Sequence, residues 1–338
     1  AATFFAVTGS VGKSTTKTLI HTMVSALAPA HRTIANYNDG MQSIHFVLSG
    51  LCDAHRYCVA EFSEVGDLED QVRFYRPHVA VITNVKFEHI NRMERQGYKG
   101  EKAIDRLAEL AAGVVKDLQP GGICVLNADE KNFDIVAGKV RAAGKARIMT
   151  CGTAASNDVR IAEIVCDDAG SDIVIEVAGK THSYRLTLPG HHMAVNSVVA
   201  ATAIHAAGLD LATVLPVLGT LKGGDRRGTR FRLPWRDGFI TIRDESVSSS
   251  LPSLRSTIAQ LEHEQPEGDG RRIAVFGQIN GIGEKMPDHM KAFAREAEAS
   301  SIDRFYTKPW QGAVLRENIR EGFRLQTRHH GTVLLASH

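Results

Sequence analysis

Residues 3–20 read Thr-Phe-Phe-Ala-Val-Thr-Gly-Ser-Val-Gly-Lys-Ser-Thr-Thr-Lys-Thr-Leu-Ile, and their order decides the fold. The apolar run from Phe4 to Val7 has the character of a buried strand. It breaks into Thr8-Gly9-Ser10-Val11-Gly12-Lys13-Ser14, after which apolar residues recur with helical spacing. Strand, glycine-containing loop and helix, in that order, make a phosphate-binding P-loop. Backbone N–H groups of such a loop, at a helix N-terminus, form an anion site without any side chain. Lys13 adds a mobile positive charge for the outer phosphates, and the Ser14 hydroxyl suits the metal ion that accompanies them. Gly9, Ser10, Val11, Gly12, Lys13, Ser14 and Thr15 are therefore the expected nucleotide contacts. The loop is the shorter Thr-Gly-x-x-Gly-Lys-Ser form, because Val7 stands where the usual motif has its first glycine.

At 338 residues the chain has room for two domains, each with its own core. A formal charge of +2, with 43% apolar and 23% charged residues, gives no reason to expect a nucleic acid or an anionic membrane as partner. Five cysteines, at 52, 58, 124, 151 and 166, form no C-x-x-C pair, which argues against a disulfide scaffold or structural zinc and for a reducing, cytoplasmic setting. No apolar stretch approaches membrane-spanning length. The chain opens at Ala1 and enters the P-loop strand almost at once, so an upstream segment or domain is expected to be missing.

Beyond the loop, short apolar runs at 57–62, 79–83 and 123–126 read as buried strands, with helical patterns over 103–118 and 131–143. Alternation of this kind predicts an α/β fold with a doubly wound, mostly parallel sheet. Residues 158–187 carry alternating polar and apolar positions broken by Gly-containing turns, which predicts a small antiparallel excursion. A helix over 194–207 follows. The glycine- and charge-rich stretch Lys222-Gly-Gly-Asp-Arg-Arg-Gly marks the expected boundary between domains at 1–221 and 222–338. After it, strands at 239–242, 273–276, 304–306 and 332–335 and helices at 253–261, 288–299 and 311–321 predict a second, smaller Rossmann-like α/β domain.

Short motifs accompany the P-loop in a fixed order. They are Ala35-Asn36-Tyr37-Asn38-Asp39, then Val59-Ala60-Glu61 at a strand end, then the run from Arg76-Pro77 through Thr83-Asn84, then Glu88-His89. Leu126-Asn127-Ala128-Asp129, Pro189-Gly190-His191-His192 with Asn196, Arg226-Arg227-Gly228, Asp244-Glu245-Ser246 and Gly277 with Gly283-Glu284 complete the set. Together they resemble the Mur ligase family over nearly the whole chain. The nearest members add D-alanyl-D-alanine to a muramyl tripeptide, and poly-amino-acid synthetases of the cyanophycin or poly-γ-glutamate type, or a natural-product ligase, are the competitors.

The resemblance implies a P-loop central domain and a C-terminal Rossmann-like domain. It also implies an ATP- and Mg2+-dependent ligase that joins a carboxylate acceptor to an amino-acid or peptide amine through an acyl phosphate. Lys13, Glu61, His89 and Arg227 are then the catalytic set, with Ser14, Glu61 and His89 as metal ligands. Asn84 orients the phosphate or the substrate carboxylate. Asn196 lies on the adenine side with His192 beside it, Arg226 or Arg227 reaches the γ-phosphate, and Asp244 contacts the ribose as the domains close about 222–225. Two departures qualify this. Leu107 or Ala111 aligns with the family's carbamylated lysine, so a weak second metal site is expected; the Asp-Glu-Ser motif also lacks its usual aromatic and proline. The reading from another class is a ligase-like regulator or scaffold that binds ATP without making amides. A small-molecule kinase accounts for the P-loop but not for the second domain.

Overall fold

The computed structural model describes residues 2–34, 45, 47–86, 90–144, 146–167, 169–221, 229–235, 238–244, 251–266, 268, 270–276, 286–307 and 331–336. The chain divides into two compact units, Ala1–Leu221 and Lys222–His338.

The first unit is built on a nine-stranded sheet of order β2-β3-β1-β4-β5-β6-β7-β8-β9. Its strands are β1 (Thr3–Thr8), β2 (Ala30–Arg32), β3 (Tyr57–Glu61), β4 (Val79–Ile82), β5 (Ile123–Asn127), β6 (Arg147–Gly152), β7 (Val159–Asp167), β8 (Gly170–Val177) and β9 (Lys180–Leu186). From β2 through β7 all neighbours run parallel, while β7, β8 and β9 form an antiparallel meander. Helices α1 (Lys13–Ser25), α2 (Leu68–Tyr75), α3 (Ile90–Arg95), α4 (Glu101–Ala112), α5 (Phe133–Ala142) and α6 (His191–Ala206) cover it.

Side chains alternate across the pleat, so each central strand divides its residues between two cores. Phe5, Val7, Val59, Val79, Val81, Ile123 and Val125 join Leu19, Ile20 and Met23 of α1 and Val198 and Val199 of α6 on one face. Ala6, Cys58, Ala60, Ala80, Ile82, Cys124 and Leu126 meet Val72 of α2, Leu107 and Ala111 of α4 and Val136 of α5 on the other. Burial on both faces is why these strands read as continuous apolar runs in the sequence. Leu107 and Ala111, the positions aligned with the family's modified lysine, are wholly buried in the second core.

The helix expected at 103–118 is shorter than its apolar pattern predicts. It ends at Ala112 and tightens into a 3-10 turn at Gly113–Val115, where any side chain on residue 113 would press on Glu69. Strands β2 and β6 had no sequence assignment. In the second unit, β10 (Thr229–Trp235) precedes β11 (Gly238–Asp244), β12 (Arg272–Phe276), β13 (Arg304–Thr307) and β14 (Gly331–Ala336). They form a sheet of order β10-β11-β14-β12-β13, parallel except for the β10–β11 hairpin pair. Helices α7 (Leu251–His263) and α8 (Met286–Glu298) accompany it, with Leu254, Leu261, Ala274, Phe276 and Phe293 among its core residues. The helix expected at 311–321 lies outside the described residues.

Candidate functional site

From β1 the chain builds β2 and then β3 on one side and later β4 on the other, so β1 sits where the sheet order reverses. Ligands of open α/β sheets gather at the carboxyl ends of strands at such a switch point. Three segments converge there: the loop after β1, Glu61 with the residues just past β3, and Thr83–Asn84 after β4.

The loop is held by the β4 end. Asn84 accepts from the Val11 N–H through Oδ1 at 3.0 Å and donates from Nδ2 to the Val11 carbonyl at 2.9 Å. Thr83 Oγ1 lies 2.7 Å from the same carbonyl, and the Asn84 carbonyl accepts from the Ser10 N–H at 2.9 Å. Asn84 was expected to orient the phosphate or the substrate carboxylate; its amide contacts here are with Val11 of the loop itself.

Gly9 and Gly12 adopt φ of +120° and +87°, a region that glycine enters without strain. A Cβ on Gly12 would come within 2.7 Å of Asn196 Oδ1, so α6 brings Asn196 directly against the loop. Gly12 caps α1 with no side-chain hydrogen bond, which leaves the helix's first N–H groups aimed at the loop's concavity. Burial first, then the charges of His191 and Lys86, press the His192 pKa down to about 4, so His192 is neutral at ordinary pH.

Beneath the loop are four charged side chains. Glu61 shares the pleat parity of Val59 and so faces α1. There its Oε1 accepts from the Ser14 hydroxyl at 2.9 Å and its Oε2 meets Lys17 Nζ at 3.1 Å, with both charged side chains only 1% exposed. Lys13 Nζ donates to the carbonyls of Gly9 and, at 3.1 Å, Ser10, and meets Glu64 Oε2 at 3.2 Å. Sequence reasoning missed Lys17 and Glu64. The signals were present: Lys17 lies one helical turn from Lys13, and Glu64 three residues past Glu61.

The residues suit a metal–nucleotide pair. Ser14 and Glu61 offer adjacent hard oxygens of the kind Mg2+ takes alongside water and phosphate oxygens. The glycine φ values and the uncapped helix start leave a concavity of N–H groups for phosphate. Among the described residues no group of three or more His, Cys, Asp or Glu could hold a metal by itself. His89, Arg226 and Arg227 lie outside the described residues. Asp244 ends β11 in the second unit, in register with Thr229 of β10 and Leu335 of β14.

The family model for the Mur ligase middle domain matches residues 7–204, from β1 through α6. The chain belongs to the Mur ligase family. Among relatives of this Mur ligase chain, a UDP-N-acetylmuramoyl-tripeptide–D-alanyl-D-alanine ligase of Bacillus subtilis is 25% identical over 96% of the chain and 67% of its own length. A UDP-N-acetylmuramate–L-alanine ligase of Salinispora arenicola is 30% identical over 80% of the chain and 49% of its own length. The chain thus spans from about half to two thirds of these two relatives. MurF from Acinetobacter baumannii superimposes with a TM-score of 0.81 at 19% identity, covering 99% of this chain and 73% of that one. A folylpolyglutamate synthase from Mycobacterium tuberculosis gives 0.67 at 15% identity, covering 100% and 89%. These likenesses bear out the family and the α/β fold expected from the motifs.

Proposed function

We propose that this chain is the ATP-using body of a ligase that joins a carboxylate to an amine. The observation that carries the reading is the P-loop with Lys13, whose neighbouring Ser14 hydroxyl touches Glu61, set in a Mur ligase middle domain. A carboxylate oxygen of the acceptor attacks the γ-phosphorus of ATP and ADP leaves, giving an acyl phosphate. The donor amine then attacks the acyl carbon, phosphate departs, and the amine gives up its proton. Both negative reactants must be brought together, and Lys13 and the N-terminus of α1 supply positive potential for that. Mg2+, when bound to Ser14 and Glu61, would screen the phosphate charge. Thr83 and Asn84 keep the loop in its concave shape.

His89 as a second metal ligand, and Arg226, Arg227, Asp244 and Asn196 as nucleotide contacts, belong to the same proposal. A cytoplasmic setting fits the five cysteines, all of them free thiols. Among the described residues no helix is long and apolar enough to cross a membrane.

The test is ATP consumption against a panel of amino acids and carboxylate acceptors, with product mass and hydroxylamine trapping of the acyl phosphate. Acceptor-dependent hydroxamate that disappears in Lys13→Ala supports the ligase. One observation favours a second reading, a nucleotide-binding regulator: Leu107 and Ala111 are core residues where the resemblance would place the modified lysine. Nucleotide binding with no amide from any pair in the panel would favour it.

A further inference from the structure

Glu64 is fully buried, and the resemblance gives it no role. Its Oε2 is 3.2 Å from Lys13 Nζ, in a pair whose side chains are 0% and 9% exposed. An ammonium has three N–H donors. Those of Lys13 have three protein acceptors within reach: the Gly9 carbonyl, the Ser10 carbonyl and Glu64. The lysine of this P-loop is thus folded back onto its own loop. Lys17, the next cation along α1, lies against Glu61.

We propose that Glu64 is a positioning residue that latches Lys13, so that a nucleoside polyphosphate binds by exchanging phosphate for carboxylate at Nζ. The inference rests on the reading of Gly9–Ser14 as a nucleotide loop. Exchange has a cost. Drawing Nζ toward a phosphate weakens a charge-assisted bond and leaves Glu64 with less compensation in a buried place, beside incoming negative charge. A divalent cation arriving with the nucleotide offsets that charge. Metal-free nucleotide does not. The latch therefore makes the site discriminate against polyphosphates that lack their metal, and it shields the Lys13 amine while the site is empty.

The experiment uses the full chain as wild type, Glu64→Gln and Glu64→Asp. One readout is the Kd for ADP by calorimetry, in EDTA and in Mg2+. The other needs no nucleotide: the rate at which an amine-acylating reagent labels Lys13, read by peptide mass spectrometry against exposed Lys180. A charge-assisted hydrogen bond is worth enough that Glu64→Gln should tighten metal-free ADP by about tenfold. ADP with Mg2+ should change much less, and Lys13 should label several-fold faster. Glu64→Asp, one methylene shorter, should move both readouts the same way by less; it carries the test alone if Glu64→Gln melts below the assay temperature. A folded variant whose Lys13 labels at the wild-type rate overturns the latch. So does metal-free ADP affinity equal to or weaker than that of a wild type that binds ADP. If wild type binds no ADP while labelling rises in Glu64→Gln, the latch stands and the nucleotide reading fails.

Discussion

Replacing Lys17 by methionine keeps an unbranched stem in the same space and removes only the ammonium. The consequence falls on Glu61. Its Oε2 lies 3.1 Å from Lys17 Nζ with both side chains 1% exposed, while Oε1 keeps the Ser14 hydroxyl. At an effective dielectric of about 20, unit charges about 3 Å apart attract by about 5 kcal/mol. Removing one partner of a buried pair is measured at about 3–5 kcal/mol, because the other charge is stranded. Neither charge reaches solvent, so no discount for screening applies. For a unit of this size about 1 kcal/mol moves the melting point by about 2–4 °C, so the loss should be about 6–20 °C. Urea and thermal unfolding of the full chain at neutral pH measure it. The double variant Lys17→Met/Glu61→Gln removes both charges and should recover most of the loss, since buried pairs replaced by uncharged groups are often near neutral. Lys17→Met within about 1 kcal/mol of wild type, or a double variant no better than the single, would refute the reasoning.

Other variants probe the same site. Gly12→Ala should abolish ADP binding and cost about 1–3 kcal/mol, because it forces a side chain into φ +87° and against Asn196; calorimetry and melting check both. Asn84→Leu strands the Val11 N–H, leaves its carbonyl only the Thr83 hydroxyl, and should cost about 1–3 kcal/mol by urea unfolding, with weaker nucleotide binding. Burial is the leading cause that lowers both His21 and His192 to about 4. The unfolded chain protonates them near 6.5 and the folded chain does not, so stability should hold above pH 6.5 and fall toward pH 4. His192→Asn should flatten part of that decline in urea midpoints taken across the range.

What could be read from the sequence was whatever a local pattern specifies. Gly9, Gly12, Lys13 and Ser14 announce themselves because a P-loop requires those residue types at fixed spacing. The central strands are legible because burial on two faces demands unbroken apolar runs. Two of the four edge strands, β2 and β10, were not, and neither was the interior strand β6, while the edge strands β9 and β13 were. Strand β2 is the three residues Ala30–Arg32, and β10 reads Thr-Arg-Phe-Arg-Leu-Pro-Trp, with Phe231 and Leu233 exposed and Pro234 admissible at an edge. Their strand character comes from a neighbour's hydrogen bonds, not from their own composition. Lys17 and Glu64 were missed for a related reason. A lysine on a helix and a glutamate in a loop are surface residues by default, and only the tertiary fold buries each against its partner.

That placement depends on register. Phe5 pairs with Val59 and Val7 with Glu61 across β1 and β3, while Thr8 pairs with Ile82 across β1 and β4. The three carboxyl ends therefore come level, and the loop emerges between Glu61 on one side and Thr83 on the other. A slip of one residue in β3 would turn Glu61 from the α1 face to the opposite one and bring Ala60, a core residue of that face, beneath the loop. Ser14 and Lys17 would lose their carboxylate together. The alternating cores fix the pleat, the pleat aims Glu61, and Glu61 gathers a hydroxyl and a cation from one turn of α1. The apolar packing of the sheet is thereby part of the chemistry of the loop.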